Sequence, residues 1–125
     1  MQRDMDLIRK ILAAIKAKDN LSPRPLKIDG YDDLLVNRHV EMLVHADFIE
    51  GSVKHSSSDH SVYCLVRDLT MDGHDFAAVI ENDTVWARLK KSWSPEELAR
   101  VPLSVVQTLG MDVLTEYLKG KIGLP

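Results

Sequence analysis

Residues 31–51, YDDLLVNRHVEMLVHADFIEG, constrain the fold more than any other stretch. They read as a helix that stops, turns and runs straight into a strand. Val36, Val40, Leu43 and Ala46 recur at near-helical spacing with Met42 beside them, so one helix face can be buried. Asp32 and Asp33 fall in the first turn, where the helix dipole favours negative charge. Asp47 stands where a left-handed residue would end the helix, a place that Gly or Asn fills more easily. Phe48 and Ile49 then open the strand.

The flanking segments supply elements to pack on this one. A first helix is predicted over residues 4–18. Met5, Ile8, Ile11, Leu12 and Ile15 lie on one side of it, and Arg9, Lys10, Lys16 and Lys18 face out. Ser22-Pro23-Arg24-Pro25 forbids a helix after it, and the alternation in Leu26-Lys27-Ile28 predicts a short edge strand. Two strands are predicted over residues 48–54 and 62–69, joined by a polar tip, residues 55–61. Thr70 is a good N-cap for a helix whose Phe76, Val79 and Ile80 face the core. Gly73 would let that helix start close against the strands.

Asn82-Asp83-Thr84 either caps a new helix or interrupts one long helix, and Val85, Trp86 and Leu89 continue the apolar stripe in both cases. Ser94-Pro95-Glu96-Glu97 has Ser at the N-cap, Pro at the first position and Glu at the third, a helix start that Pro102 soon ends. A last helix is predicted over residues 103–119, with Val106, Leu109, Val113, Leu114 and Tyr117 on one side. Gly110 in its middle costs about 1 kcal/mol relative to Ala unless a close helix contact offsets it.

The order helix, short strand, helix, two-stranded wing, helix predicts a mainly helical α+β fold. It is a winged-helix-like domain over residues 1–91, with a C-terminal helical extension over residues 92–125 packed on it or on a second copy. The predicted core is centred on Ile8, Ile11, Leu12, Val40, Leu43, Ile49, Phe76 and Ile80. Apolar residues make up 45% of the 125, enough for one domain core, and aromatics only 6%, so aliphatic side chains must fill most of it. The single cysteine, Cys64, rules out an intramolecular disulfide and reads as a small buried apolar residue. No apolar run approaches the roughly 18–20 residues that span a bilayer. MQRDMD at the start lacks the apolar region of a signal peptide, so a soluble cytoplasmic protein is expected.

Three stretches together resemble the bacterial and phage family called "domain of unknown function 2513". They are MQRDMDLIRKIL, RHVEMLVHADFIEG and LTMDGHDFAAVIENDTVWARLKK. The usual central form there is similar to His-Val/Ile-x-x-Leu-x-x-Ala-Gly-Leu-Ile, and His39, Val40, Leu43, Ala46 and Ile49 match it. Asp47 and Phe48 stand where that family has Gly and Leu, and Met71 where it tends to have Trp. Gly73, His74, Phe76, Asp83, Val85 and Trp86 agree with its pattern. The resemblance covers residues 1–20 and 31–91. It implies a winged-helix-like fold and a mobile-element setting, and no catalytic residue.

The residues themselves point to no enzyme, metal or cofactor. His39 and His45 are six apart on one helix, and His55 and His60 flank a loop with Asp59 but no Cys, whereas zinc needs three or four fixed ligands. His39 reads as a hydrogen-bonded, semi-buried residue and His74 as a helix-start or ion-pair residue. The Ser56-Ser57-Ser58 run has no base beside it.

Nucleic-acid binding is the sharper reading of the fold, though a fold alone does not license it. The net charge of −3 argues against a general electrostatic grip. The outward face of the central helix is expected to carry Asp32, Asp33, Asn37, Arg38, Glu41 and His45, so three carboxylates oppose Asn37 and Arg38. The candidate contacts are Arg24, Lys27, Asn37, Arg38, Lys54 and His55. A candidate protein interface is Val106, Leu109, Gly110, Val113 and Tyr117 on the last helix, with a homodimer or another protein as partner. Two functional readings follow. One is a non-catalytic winged-helix module of a phage or mobile element, acting in protein interaction or assembly. The other is a DNA-associated regulatory or accessory protein that binds through the wing and the proline loop.

Overall fold

A computed structural model describes residues 1–125. It is a mainly helical α+β structure of six helices and one two-stranded antiparallel hairpin. The elements are α1 (Met5–Lys16), α2 (Asp33–His45), β1 (Ile49–His55), β2 (Val62–Leu69), α3 (Met71–Glu81), α4 (Asp83–Ser92), α5 (Pro95–Leu98) and α6 (Leu103–Lys121). The chain divides into two compact units, Asp6–Asp75 and Met1–Met5 with Phe76–Pro125. All eight predicted core residues are buried.

In the unit Asp6–Asp75, α1 buries Leu7, Ile8, Ile11, Leu12 and Ile15, and α2 buries Val36, His39, Val40 and Leu43. The end of α2 is a complete Schellman turn. Ala46 is the C-cap and Asp47 takes φ 65°. Phe48 N donates to Leu43 O at 2.9 Å and Asp47 N to Val44 O at 3.0 Å, so two of the last carbonyls are satisfied. The chain therefore reverses into β1 within two residues.

The hairpin pairs Val53 with Cys64 and His55 with Val62. Val62, Cys64 and Val66 are buried while Tyr63 and Arg67 are exposed, the alternation of a sheet with one covered face. α2 packs on both strands, and the Cys64 thiol donates to Asn37 O at 3.4 Å. Burial pushes that thiol's pKa up, away from the reactive thiolate. The register shifts by one between Glu50 and Gly51, which leaves Arg67 as the extra residue of a bulge.

The edge strand expected over residues 26–28 does not form. Instead Arg24 alone bridges to the free edge of β2: Arg24 N donates to Val66 O at 2.9 Å and Val66 N to Arg24 O at 2.7 Å. Pro23 and Pro25 have no N–H, so Arg24 is the one residue of the Pro-Arg-Pro run that can donate to a strand.

Thr70 joins the end of α2 to the start of α3. Its N–H donates to Phe48 O at 3.1 Å, its hydroxyl donates to Asp47 O at 2.6 Å, and the same oxygen accepts from Gly73 N at 3.0 Å. Gly73 makes this possible, because a Cβ there would lie 1.9 Å from Phe48 O and 3.2 Å from Leu69 Cβ.

In the unit formed by residues 1–5 and 76–125, Asn82 caps a new helix, its Oδ1 accepting from Val85 N at 3.1 Å. Ser94 and Glu97 form the reciprocal capping box of α5. Gly110 of α6 sits against Val79, whose Cγ1 would be 2.5 Å from an added Cβ. The close helix contact that would justify a mid-helix glycine is thus within the chain. Arg3 donates to Leu98 O at 3.2 Å and to Val101 O, tying the N-terminus to the end of α5.

Candidate functional site

All six candidate nucleic-acid contacts lie in the unit Asp6–Asp75, on the proline loop, α2 and the hairpin. The structure gives them unequal partners. Lys27 pairs with Asp33 at 2.7 Å, an exposed bridge that anchors the loop to the first turn of α2. Arg38 pairs with Glu41 one turn along its own helix. His55, at the end of β1, places Nε2 2.6 Å from the other oxygen of Glu41. Arg24 and Lys54 are exposed and engage no carboxylate. Asn37 is half-buried, with its carbonyl taken by the Cys64 thiol.

Glu41 was expected on the outward face of α2. It is buried instead, with 4% of its surface exposed. Helical periodicity locates one buried stripe, but α2 has two covered sides, because the hairpin folds back along it. His55 faces the same side of the sheet as Val62 and Cys64, which brings its ring onto Glu41. A carboxylate taken from water must be paired, and here its two oxygens are held by the Arg38 guanidinium and by His55 Nε2, both side chains partly solvated. Nothing in the local spacing of residue 41 marked it. The signal lay fourteen residues on, in a histidine at the strand end whose register was not yet fixed.

The consequence is electrostatic. Three of the five basic side chains among the six candidates are committed to carboxylates within the chain. What remains open is an apolar groove of about 310 Å³ between the loop, α2 and β2. Pro25, Leu26, Leu34, Val62 and Tyr63 line it, with Asn37 at its side. Leu34 is 43% and Tyr63 51% exposed.

The remaining histidines do not converge, and no group of three or more His, Cys, Asp or Glu side chains could hold a metal. His39 is fully buried, and its Nδ1 donates to Leu35 O at 2.9 Å. His74 faces Asp68 at 3.7 Å, a surface pair. In the other unit, Val106 and Gly110 of the candidate interface are buried within the chain and unavailable to a partner. Leu109 and Val113 line an open groove of about 470 Å³ with Leu89 and Trp93, and Tyr117 stacks under Lys121 at 5.5 Å. No helix is long and apolar enough to cross a membrane.

No solved structure matches this chain. An uncharacterized protein of Haemophilus influenzae (strain ATCC 51907 / DSM 11121 / KW20 / Rd) is 30% identical over 120 residues, covering 94% of this chain and 99% of that protein. The family described as "Hypothetical protein (DUF2513)" matches residues 2–97. Together the family match and the near full-length relative show that this chain belongs to the DUF2513 family.

Proposed function

We propose that the chain is a non-catalytic, winged-helix-like module that works by docking another protein, in the phage or mobile-element setting that the family resemblance implies. The sequence of α1, α2, hairpin and α3 supports the winged-helix reading, with α2 in the place of the reading helix and the hairpin as the wing. The observation that carries the functional reading is the internal commitment of Lys27, Arg38 and His55 beside an exposed apolar groove. A DNA-reading surface needs free cations and amides facing phosphates and base edges. A protein-docking surface needs exposed apolar area with a polar rim, which Leu34 and Tyr63 with Lys27 and Asp33 provide.

One observation favours DNA as the second reading: Arg24 and Lys54 are exposed without carboxylate partners. Contacts of that kind would track phosphates and carry no sequence information. A pull-down of the full chain from host lysate, with and without nuclease, separates the two. Protein capture that survives nuclease and falls on Tyr63→Ala supports docking. Capture abolished by nuclease supports the DNA reading and sinks the first.

A further inference from the structure

The C-terminal helix α6 leaves a second apolar seam uncovered. Thr108, Met111, Thr115, Leu118 and Ile122 follow one another at spacings of three, four, three and four, the heptad pattern of a helix pairing with another helix. All five are exposed, Met111 by 41%, Leu118 by 49% and Ile122 by 73%. The two threonines fit an apolar seam because their hydroxyls are spent on their own helix. Thr108 Oγ1 donates to Ser104 O at 2.9 Å and Thr115 Oγ1 to Met111 O at 2.7 Å. The side of α6 that buries Val106 and Gly110 is a different one, so the seam faces away from the chain's own packing.

Charge says what fits it. Asp112 and Lys119 flank this seam on one side, one heptad apart, both exposed and neither in an ion pair. We propose that the seam binds the same seam of a second copy, with the two α6 helices antiparallel. In that arrangement Met111 meets Ile122 of the other copy and Thr115 meets Leu118. Residues on this flank then face each other, so Asp112 opposes Lys119 of the other copy, and the two-fold axis makes the pair twice. A parallel pair would set this flank against Gln107, Leu114 and Lys121 on the other side of the seam, and would not join Asp112 to Lys119. The surface is self-complementary only in the antiparallel sense.

Sedimentation equilibrium of the full chain tests this, with Asp112→Lys, Lys119→Asp and the double reversal. Each single reversal replaces two attractions with two repulsions and should weaken the dimer by roughly tenfold. The double reversal should recover it. Both positions are exposed, so thermal unfolding of the monomer should be little changed, and recovery in the double variant separates pairing from loss of fold. A wild-type chain that stays monomeric at high micromolar concentration overturns the proposal. So does a dimer indifferent to the single reversals, or a double reversal that fails to restore association. Capture of a different protein on this face by a monomeric chain would assign the seam to that protein instead of a second copy.

Discussion

Gly73→Ala should destabilise the protein, although it replaces glycine by the best helix former near the start of a helix. The added Cβ would sit 1.9 Å from Phe48 O and 2.9 Å from Phe48 C. An ordinary carbon–oxygen contact is about 3.3 Å, so one side must retreat by roughly 1.4 Å. Both atoms it meets are backbone, so no side chain can swing aside. The retreat would pull at the bonds that Thr70 makes to Phe48 O, Asp47 O and Gly73 N. Strain costs about 1–3 kcal/mol and a weakened cap about 1, against at most about 1 regained from helix propensity. The net expectation is about 1–3 kcal/mol lost, or a Tm lower by on the order of 10 °C. Gly120→Ala is the internal control. Nothing lies within 4 Å of its Cβ and it sits in α6, so it should gain about 0.5–1 kcal/mol. Urea titration of both variants reads the difference. A Gly73→Ala midpoint equal to or above wild type would refute the close-approach reasoning.

Asp47→Gly should stabilise by up to about 1 kcal/mol, because φ 65° costs an L residue and the turn's bonds are made by backbone groups that glycine keeps; a lower urea midpoint would show that the Asp side chain has a role of its own. Leu43→Ala, at a fully buried site, should cost about 2–5 kcal/mol, and a loss under about 0.5 kcal/mol in the same titration would remove Leu43 from the core. Asp59 at the hairpin tip is held down to about 2, chiefly by hydrogen bonds from Ser56 and then Ser61, against 3.8 when free. The folded carboxylate is the stronger acid, so its contribution to tip order is present above pH 3.8 and lost as pH falls through about 2. A carboxyl NMR titration should show that midpoint in wild type and a higher one in Ser61→Ala; a wild-type midpoint near 3.8 would mean the bonds do not hold in solution.

Much of the fold was legible because local signals agreed with one another. The strand predicted over residues 62–69 forms over those residues. Ser94 with Glu97, Asn82 and Thr70 cap the helices that their chemistry predicts, since a cap is a contact between near neighbours in sequence. Gly110 announced a close helix contact and has one against Val79. The failures are long-range. The alternation in Leu26-Lys27-Ile28 imitated a strand, but flanking prolines leave a single bridge at Arg24. The stripe that includes Val106 was legible as apolar, but not which of its members a neighbouring helix would cover. Glu41 looked solvent-facing because the hairpin that buries it is set by a register no periodicity encodes. That one misplacement matters most for the site, since it decides whether Arg38 and His55 are free.

Fluorescence anisotropy of the full chain with random duplex DNA, at low and at physiological salt, tests the central claim that Arg38, the one Lys or Arg of α2, is spent inside the protein. Binding should be weak, should fall steeply with salt as expected for a few phosphate contacts, and should be unchanged by Asn37→Ala and Arg38→Ala. Sub-micromolar, salt-resistant binding that either substitution abolishes would show that α2 reads bases and that the Arg38–Glu41–His55 cluster opens to let it.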